Sequence, residues 1–195
     1  MHSHPILLAS SSYYRQTLLQ RLGLPFISAS PDIDETPLTG EEPEQLALRL
    51  AREKARALTH QYPGHWIIGS DQVACLPDGT LLGKPGNHER AVQQLARSSG
   101  QDVTFLTGLA LLDADTGALQ TRCEPFRVRF RTLTTEEIEH YLAREQPYDC
   151  AGSFKAEGLG VALFRTTEGE DATSLVGLPL IRLVDMLLAE GRQVP

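Results

Sequence analysis

Trp66-Ile67-Ile68-Gly69-Ser70-Asp71-Gln72-Val73 is the stretch that most constrains how this chain can fold. The apolar run Trp66-Ile67-Ile68 predicts a buried strand. Gly69-Ser70 predicts its end, with Asp71 delivered into the loop beyond. A strand end is a rigid support for a reactive carboxylate. An aspartate in this position is also a common turn residue or helix cap, so both readings stand on this stretch alone.

The chain has 195 residues, enough for a substantial core in one domain or two closely joined lobes. No repeat, low-complexity segment or linker divides it, so residues 1–195 are expected to form a single domain. The net charge of −7 argues against duplex nucleic acid as a partner, which requires a basic face. It leaves room for a small anion in a local basic pocket. Cys75, Cys123 and Cys150 form no CxxC pair and read as reduced thiols of a cytoplasmic protein. His2 and His4 have the chemistry to bind a metal, but the expectation for them is a flexible terminus. No apolar run approaches the ~20 residues of a membrane span.

Ile6-Leu7-Leu8-Ala9 predicts a first strand. Ser10-Ser11-Ser12 follows, and a helix from Tyr13 to Gly23 begins with Ser12 as N-cap and Leu18, Leu19 and Leu22 as its apolar stripe. Free backbone N–H groups and the helix dipole make this junction a potential anion site. Arg15 in the first turn is unfavourable for the dipole unless an anion lies nearby. Phe26–Ser30 predicts a second strand, leading into an acidic loop with Asp32, Asp34 and Glu35. Such a loop is either solvated or a source of oxygen ligands for a divalent cation.

A long helix is expected over Pro43–Tyr62, with Ala47, Leu50, Ala51, Ala55 and Leu58 inward. Lys54 falls on the same face, where it either snorkels or meets a buried anion. Residues 66–76 and 80–82 are expected to pair as a hairpin around Pro77-Asp78-Gly79. Lys84 is a second isolated lysine at a strand end, beside the stiffening Pro85. Asn87 caps a helix to about Arg97. A strand over 103–112 turns at 113–117 into a strand over 119–132. There Phe126, Val128 and Phe130 alternate with Arg127, Arg129 and Arg131, giving one wet, basic face. Thr134 and Glu137 form a capping box. The small-residue loop Cys150–Gly160 carries Lys155 and Glu157 and suits close backbone approach. Val161–Phe164 is expected to be a strand, and Leu178-Pro179 opens the last helix.

Lone cations (Arg15, Lys54, Lys84) and carboxylates (Glu35, Asp71) of this kind suit a nucleotide polyphosphate. The cations offset phosphate charge and a carboxylate activates water.

Leu8-Ala9-Ser10-Ser11-Ser12-Tyr13-Tyr14-Arg15, Asp34-Glu35-Thr36-Pro37, Leu50-Ala51-Arg52-Glu53-Lys54-Ala55, Gly69-Ser70-Asp71-Gln72-Val73, Gly83-Lys84-Pro85, Ala151-Gly152-Ser153-Phe154 and Val176-Gly177-Leu178-Pro179-Leu180 together resemble the Maf family of house-cleaning nucleoside triphosphate pyrophosphatases. The matches run in order along nearly the whole chain. The resemblance implies an α/β fold like that of inosine triphosphate pyrophosphatases, with two lobes around a central mixed sheet and a cleft between them. It implies cleavage between the α and β phosphates with a divalent cation (Mg²⁺, Mn²⁺ or Co²⁺), and it suggests a homodimer. By the same resemblance Asp71 is the general base, and Ser10, Arg15, Lys54 and Lys84 grip the phosphates. Glu35 joins Asp71 at the metal, with Asp34 adjacent.

Three positions depart from the commonest family pattern, whose members act on thymidine and uridine triphosphates. Tyr14, Gln72 and Glu157 resemble the subfamily that cleaves 7-methyl-GTP. The chemistry agrees: an aromatic face stacks on a cationic methylated guanine, and a carboxylate accepts from its N1 and N2 groups. The aromatic here is tyrosine where that subfamily has tryptophan, and Tyr13 competes for the role. The alternatives are a dTTP/UTP pyrophosphatase of the same family and a non-catalytic nucleotide-binding regulator of cell division.

Overall fold

The computed structural model describes residues 4–194; the expectation for His2 lies outside them. Eleven regular elements follow one another: β1 (Ile6–Ala9), α1 (Tyr13–Gln20), β2 (Phe26–Ala29), α2 (Pro43–Ala57), β3 (Trp66–Cys75), α3 (His88–Ser98), β4 (Asp102–Asp113), β5 (Leu119–Phe130), α4 (Thr135–Glu145), β6 (Phe164–Gly169) and α5 (Leu180–Ala189). Among the described residues the strands form one six-stranded sheet in the order β2-β1-β3-β4-β5-β6. β1 runs parallel to β2 and β3, whereas β5 and β6 are antiparallel. The sheet is therefore mixed and the class α/β, as expected.

By its contacts the chain forms two compact units. The first comprises the chain up to Asp71, residues 107–124 and everything from Asp171 onward; the second comprises 72–106 and 125–170.

In the first unit every residue of β1 is buried, as a strand covered on both faces requires. Side chains alternate across the sheet. Leu8, Ile68 and Leu109 pack with Leu18 and Leu19 of α1 and with Leu183 and Leu187 of α5. Leu7, Ile67 and Ala110 pack with Ala51 and Ala55 of α2. Two glycines let the backbone of α2 touch the sheet. A Cβ on Gly69 would lie 2.1 Å from the Ala51 carbonyl oxygen, and one on Gly108 would lie 2.2 Å from that of Ala47.

In the second unit, Phe154 is buried edge-on against Phe105, Phe130 and Phe164, with ring centroids 5.0, 6.0 and 5.1 Å away. The alternation of β5 is as predicted: Phe126, Val128 and Phe130 are buried and the intervening arginines exposed. That face is not a basic patch, because Arg127 pairs with Glu168, Arg129 with Asp102 and Arg131 with Glu137. The capping box of Thr134 and Glu137 is formed.

Four expectations need correction. β3 does not end at Gly69-Ser70; it runs on to Cys75, so Asp71 is a mid-strand residue. Gly69 marks close helix packing here and not a break. The expected hairpin is reduced to a single bridge, Cys75 to Leu81, made by the Leu76 N–H to the Thr80 carbonyl and the Leu82 N–H to the Ala74 carbonyl; Pro85, with no N–H, cannot extend the ladder. α2 stops at Ala57, with Leu58 as its C-cap, and the Tyr62 N–H closes a last turn onto the Leu58 carbonyl. Residues 159–163 form a tight 3₁₀ turn, and the strand begins only at Phe164. A short apolar run carries no period that separates these two outcomes.

Cys75, Cys123 and Cys150 are free thiols. Burial raises the pKa of each, for Cys123 and Cys150 to about 12, so neither of those two is a poised thiolate. No helix among the described residues is long and apolar enough to cross a membrane.

The glycine contacts set a measurable expectation. Gly108→Ala drives a methyl into the Ala47 carbonyl, which is backbone and cannot swing aside. It should cost about 1–3 kcal/mol, read as a lowered urea midpoint. An unchanged midpoint would show that the helix can retreat freely.

Candidate active site

The first unit gathers four of the charged residues singled out by the sequence. Lys54 lies on the buried stripe of α2 with Leu46, Ala47, Leu50, Ala51 and Ala55. Its Nζ is 2.6 Å from Asp71 Oδ1 on β3 and 2.6 Å from Glu35 Oε1 in the loop after β2. The two carboxylate oxygens can thus be no farther apart than twice that distance. Lys54 and Asp71 are 6% and 8% exposed, while the Glu35 side chain is about half exposed. Placing two carboxylates this close is unfavourable in a poorly hydrated site, and the ammonium between them offsets their repulsion. Here Lys54 meets carboxylates of its own chain in the role that the sequence reserved for a buried anion or phosphate.

Arg15 belongs to the same electrostatic group. Burial lowers its pKa, and the negative charges of Asp71 and Glu35 act in the opposite direction. Its Nε donates to the Gly177 carbonyl at 2.8 Å. Ser12 caps α1 by accepting from the Arg15 N–H, as predicted. Ser10 is buried, and its Oγ accepts from the Ser12 N–H at 3.1 Å. Accepting through oxygen leaves the hydroxyl proton to donate. Tyr14 is partly buried on α1 and Tyr13 is exposed, their rings meeting edge to face.

Glu35, not its neighbour Asp34, is the acidic residue brought to Lys54. Asp34 instead accepts from the Thr36 N–H and shapes the turn. Arg49, on α2, pins the rest of that loop. It pairs with Glu41 through Nε at 2.6 Å and donates from Nη2 to the Thr36 carbonyl at 3.1 Å. Hydrogen bonds from Arg49 hold the Glu41 carboxyl down at about 2. One helix therefore both fixes the acidic loop and supplies the lysine that Glu35 meets.

The second unit carries Gln72, Lys84 and Glu157. Gln72 follows Asp71 on β3 and is partly buried; Lys84 and Glu157 are exposed. Gln94 of α3 ties their loops together. Its amide nitrogen donates to the Gly83 carbonyl at 3.0 Å, and its oxygen accepts from Ser153 Oγ. Ser153 has φ +61, a conformation few non-glycine residues adopt. Lys155, also noted in the sequence, donates to the Glu145 carbonyl and so caps α4, a structural role.

A further cluster, His4, Asp113 and Asp115, presents its ligand atoms within 4.8 Å of one another. It sits at the β4–β5 turn and shares no residue with the Asp71 group.

Residues 5–190 match the family model described as Maf-like protein. The chain belongs to the Maf family. The curated Maf relatives include the 7-methyl-GTP pyrophosphatase of Pseudomonas syringae pv. tomato, 65% identical over 97% of this chain and 98% of the relative. Proteins with the same name from Pseudomonas aeruginosa and Pseudomonas putida are each 63% identical, over 97% and 98% of this chain and 98% and 99% of their own lengths.

Sequence reasoning missed the contacts of Arg49, Ser70 and Gly177 in the first unit of this Maf protein and those of Gln94 in the second. Gly177 lay in a quoted motif without a role. Arg49 and Gln94 sat in helices as ordinary polar residues, and no local pattern marks a side chain whose partner is a distant loop.

The Arg49 clamp has a pH signature. Its contribution to stability is complete above the ordinary Glu41 value of 4.5 and is lost as pH falls towards about 2, because the folded-state pKa is depressed. A carboxyl-carbon NMR titration should place the Glu41 midpoint near 2. Arg49→Met should return it to the ordinary carboxylate range, and a midpoint that stays put would dismiss the clamp.

Proposed function

We propose that this chain is a nucleoside triphosphate pyrophosphatase that hydrolyses 7-methyl-GTP to 7-methyl-GMP and diphosphate, with residues 1–195 acting as one catalytic domain. The observation that carries the chemistry is Lys54 held 2.6 Å from both Asp71 and Glu35, with Arg15 in their field. The substrate assignment rests on close relatives of that name and on Tyr14, Gln72 and Glu157.

Asp71 acts as general base. Its position within a strand, between buried Ser70 and partly buried Gln72, fixes the carboxylate. It takes a proton from water as that water adds to the α-phosphorus. The bond from the α-phosphorus to the bridging oxygen breaks, and diphosphate leaves. Ser10, Arg15, Lys54 and Lys84 bind phosphate oxygens and stabilise the charge that develops on the leaving group. Binding of the triphosphate gives Lys54 a competing anionic partner, which releases the carboxylates from their shared ammonium.

The donor set fits a hard divalent cation. Glu35 and Asp71 offer carboxylate oxygens already close together, without sulfur or imidazole, as Mg²⁺ or Mn²⁺ prefers. When bound, such a cation supplies charge neutralisation at the phosphates. Tyr14 stacks on the methylated guanine, and Glu157 accepts from its N1 and N2 groups.

Release of diphosphate from 7-methyl-GTP, GTP, dTTP, UTP and CTP tests the reading. We expect 7-methyl-GTP to be preferred, and preference for dTTP or UTP would overturn the substrate assignment. Asp71→Asn should lower kcat by about 10²- to 10⁴-fold, the range for a lost general base, while nucleotide binding survives. Tyr14→Ala combined with Glu157→Gln should erase discrimination between 7-methyl-GTP and GTP with turnover retained; intact selectivity would refute the recognition scheme.

A further inference from the structure

Ser70 is a fully buried hydroxyl on the same face of β3 as Ile68, the face that packs against α1 and α5. A polar group there is unfavourable unless it is hydrogen-bonded. Alanine would carry no such requirement. Ser70 Oγ lies 2.9 Å from the Gly108 carbonyl and 3.0 Å from the Gly177 carbonyl. Gly108 O belongs to the adjoining strand β4. Gly177 O belongs to a loop 107 residues away, and it is the same oxygen that receives Arg15 Nε.

That loop is built to hold its shape. Asp171, fully buried, accepts from the Thr173 N–H, the Thr173 hydroxyl and the Ile181 N–H. Thr173 Oγ1 in turn accepts from the Leu180 N–H. Thr107 Oγ1 donates to the Ser174 carbonyl. Gly177 itself has φ +113, which side-chain-bearing residues rarely adopt, and a Cβ there would stand 3.4 Å from Arg15 Nε. The loop thus presents a carbonyl of fixed position that receives the Arg15 guanidinium and shares the single Ser70 hydroxyl proton with the Gly108 carbonyl.

We propose that Ser70 and Gly177 are positioning residues that aim Arg15 at the substrate phosphates. The assignment rests on Arg15 being part of the phosphate grip. Anchoring Nε sets the plane of the guanidinium and so the direction of its terminal NH₂ pair, which a bidentate phosphate contact requires. Consecutive strand residues point to opposite faces. Ser70 therefore holds Arg15 from one side of β3 while Asp71 meets Lys54 on the other, and one strand sets the register of both.

A double-mutant cycle tests this with 7-methyl-GTP as substrate. Ser70→Ala should raise KM about 3- to 10-fold, the effect of one lost hydrogen bond, with kcat changed less than about twofold. In an Arg15→Lys background the same substitution should add nothing, because the group it aims is gone. Ser70→Cys, with a weaker donor of similar size, should fall between wild type and Ser70→Ala. An equal rise in both backgrounds, or no rise in either, would overturn the positioning role. If Arg15→Lys alone leaves KM unchanged, the phosphate-grip reading falls and this inference with it. A readout independent of turnover is solvent exchange of the Arg15 Nε–H by NMR. It should accelerate in Ser70→Ala, and exchange at the wild-type rate would refute the relay even if the enzyme acts on another nucleotide.

Discussion

The contact of α2 with the sheet is the constraint on which the site depends. Gly69 and Gly108 bring the helix backbone against β3 and β4 at a distance that no side chain would allow. Only at that separation does the inward stripe of α2 place Lys54 Nζ within 2.6 Å of Asp71. A lysine side chain desolvated on a buried stripe is costly unless its charge is met. The carboxylates that meet it are the ones that the proposed chemistry uses. The interaction that makes the helix tolerable is therefore the one that brings Lys54, Asp71 and Glu35 together.

Around that contact, side-chain hydrogen bonds fix the loops. Arg49 holds the acidic loop against α2, which keeps Glu35 within reach of Lys54. Gln94 and Ser153 bind together the loops bearing Lys84 and Glu157. Asp171 and Thr173 hold the turn that offers the Gly177 carbonyl to Arg15. Loop residues placed this way lose less entropy on ligand binding, because their conformations are already ordered. With side chains 15% and 7% exposed, the Arg49–Glu41 pair is largely shielded from solvent and imposes its geometry on the acidic loop.

Some of this was legible in the sequence. The Ser12 cap, the Thr134–Glu137 capping box, the stripe of α2 and the alternation of β5 depend on neighbours within four residues, and each formed as predicted. Lys54 was legible as anomalous, since its spacing from Leu50 and Ala51 put it on the inward face. What it would meet was not. The end of β3 was misread because Gly69-Ser70 resembles a strand break, whereas both residues serve packing across the sheet. Lys155 looked as isolated as Lys84, yet it caps a helix; two lone lysines differ only in what folds against them. The arginines of β5 looked like a basic face, but partners contributed by three other elements neutralise it.

By itself the sequence determined most of the local elements, though not where β3 and α2 end, and, through ordered motifs spanning nearly the whole chain, the Maf family. It also identified which charged residues sat where charge needs a reason. The tertiary structure alone decided which charges pair. Asp71 and Lys54 are 17 residues apart, Ser70 and Gly177 are 107 apart, and Arg15 and Gly177 are 162 apart. Periodicity and capping rules act within a few residues, where the backbone fixes who can touch whom. Contacts across such separations depend on how closely two backbones approach, and that distance is set only when the core packs.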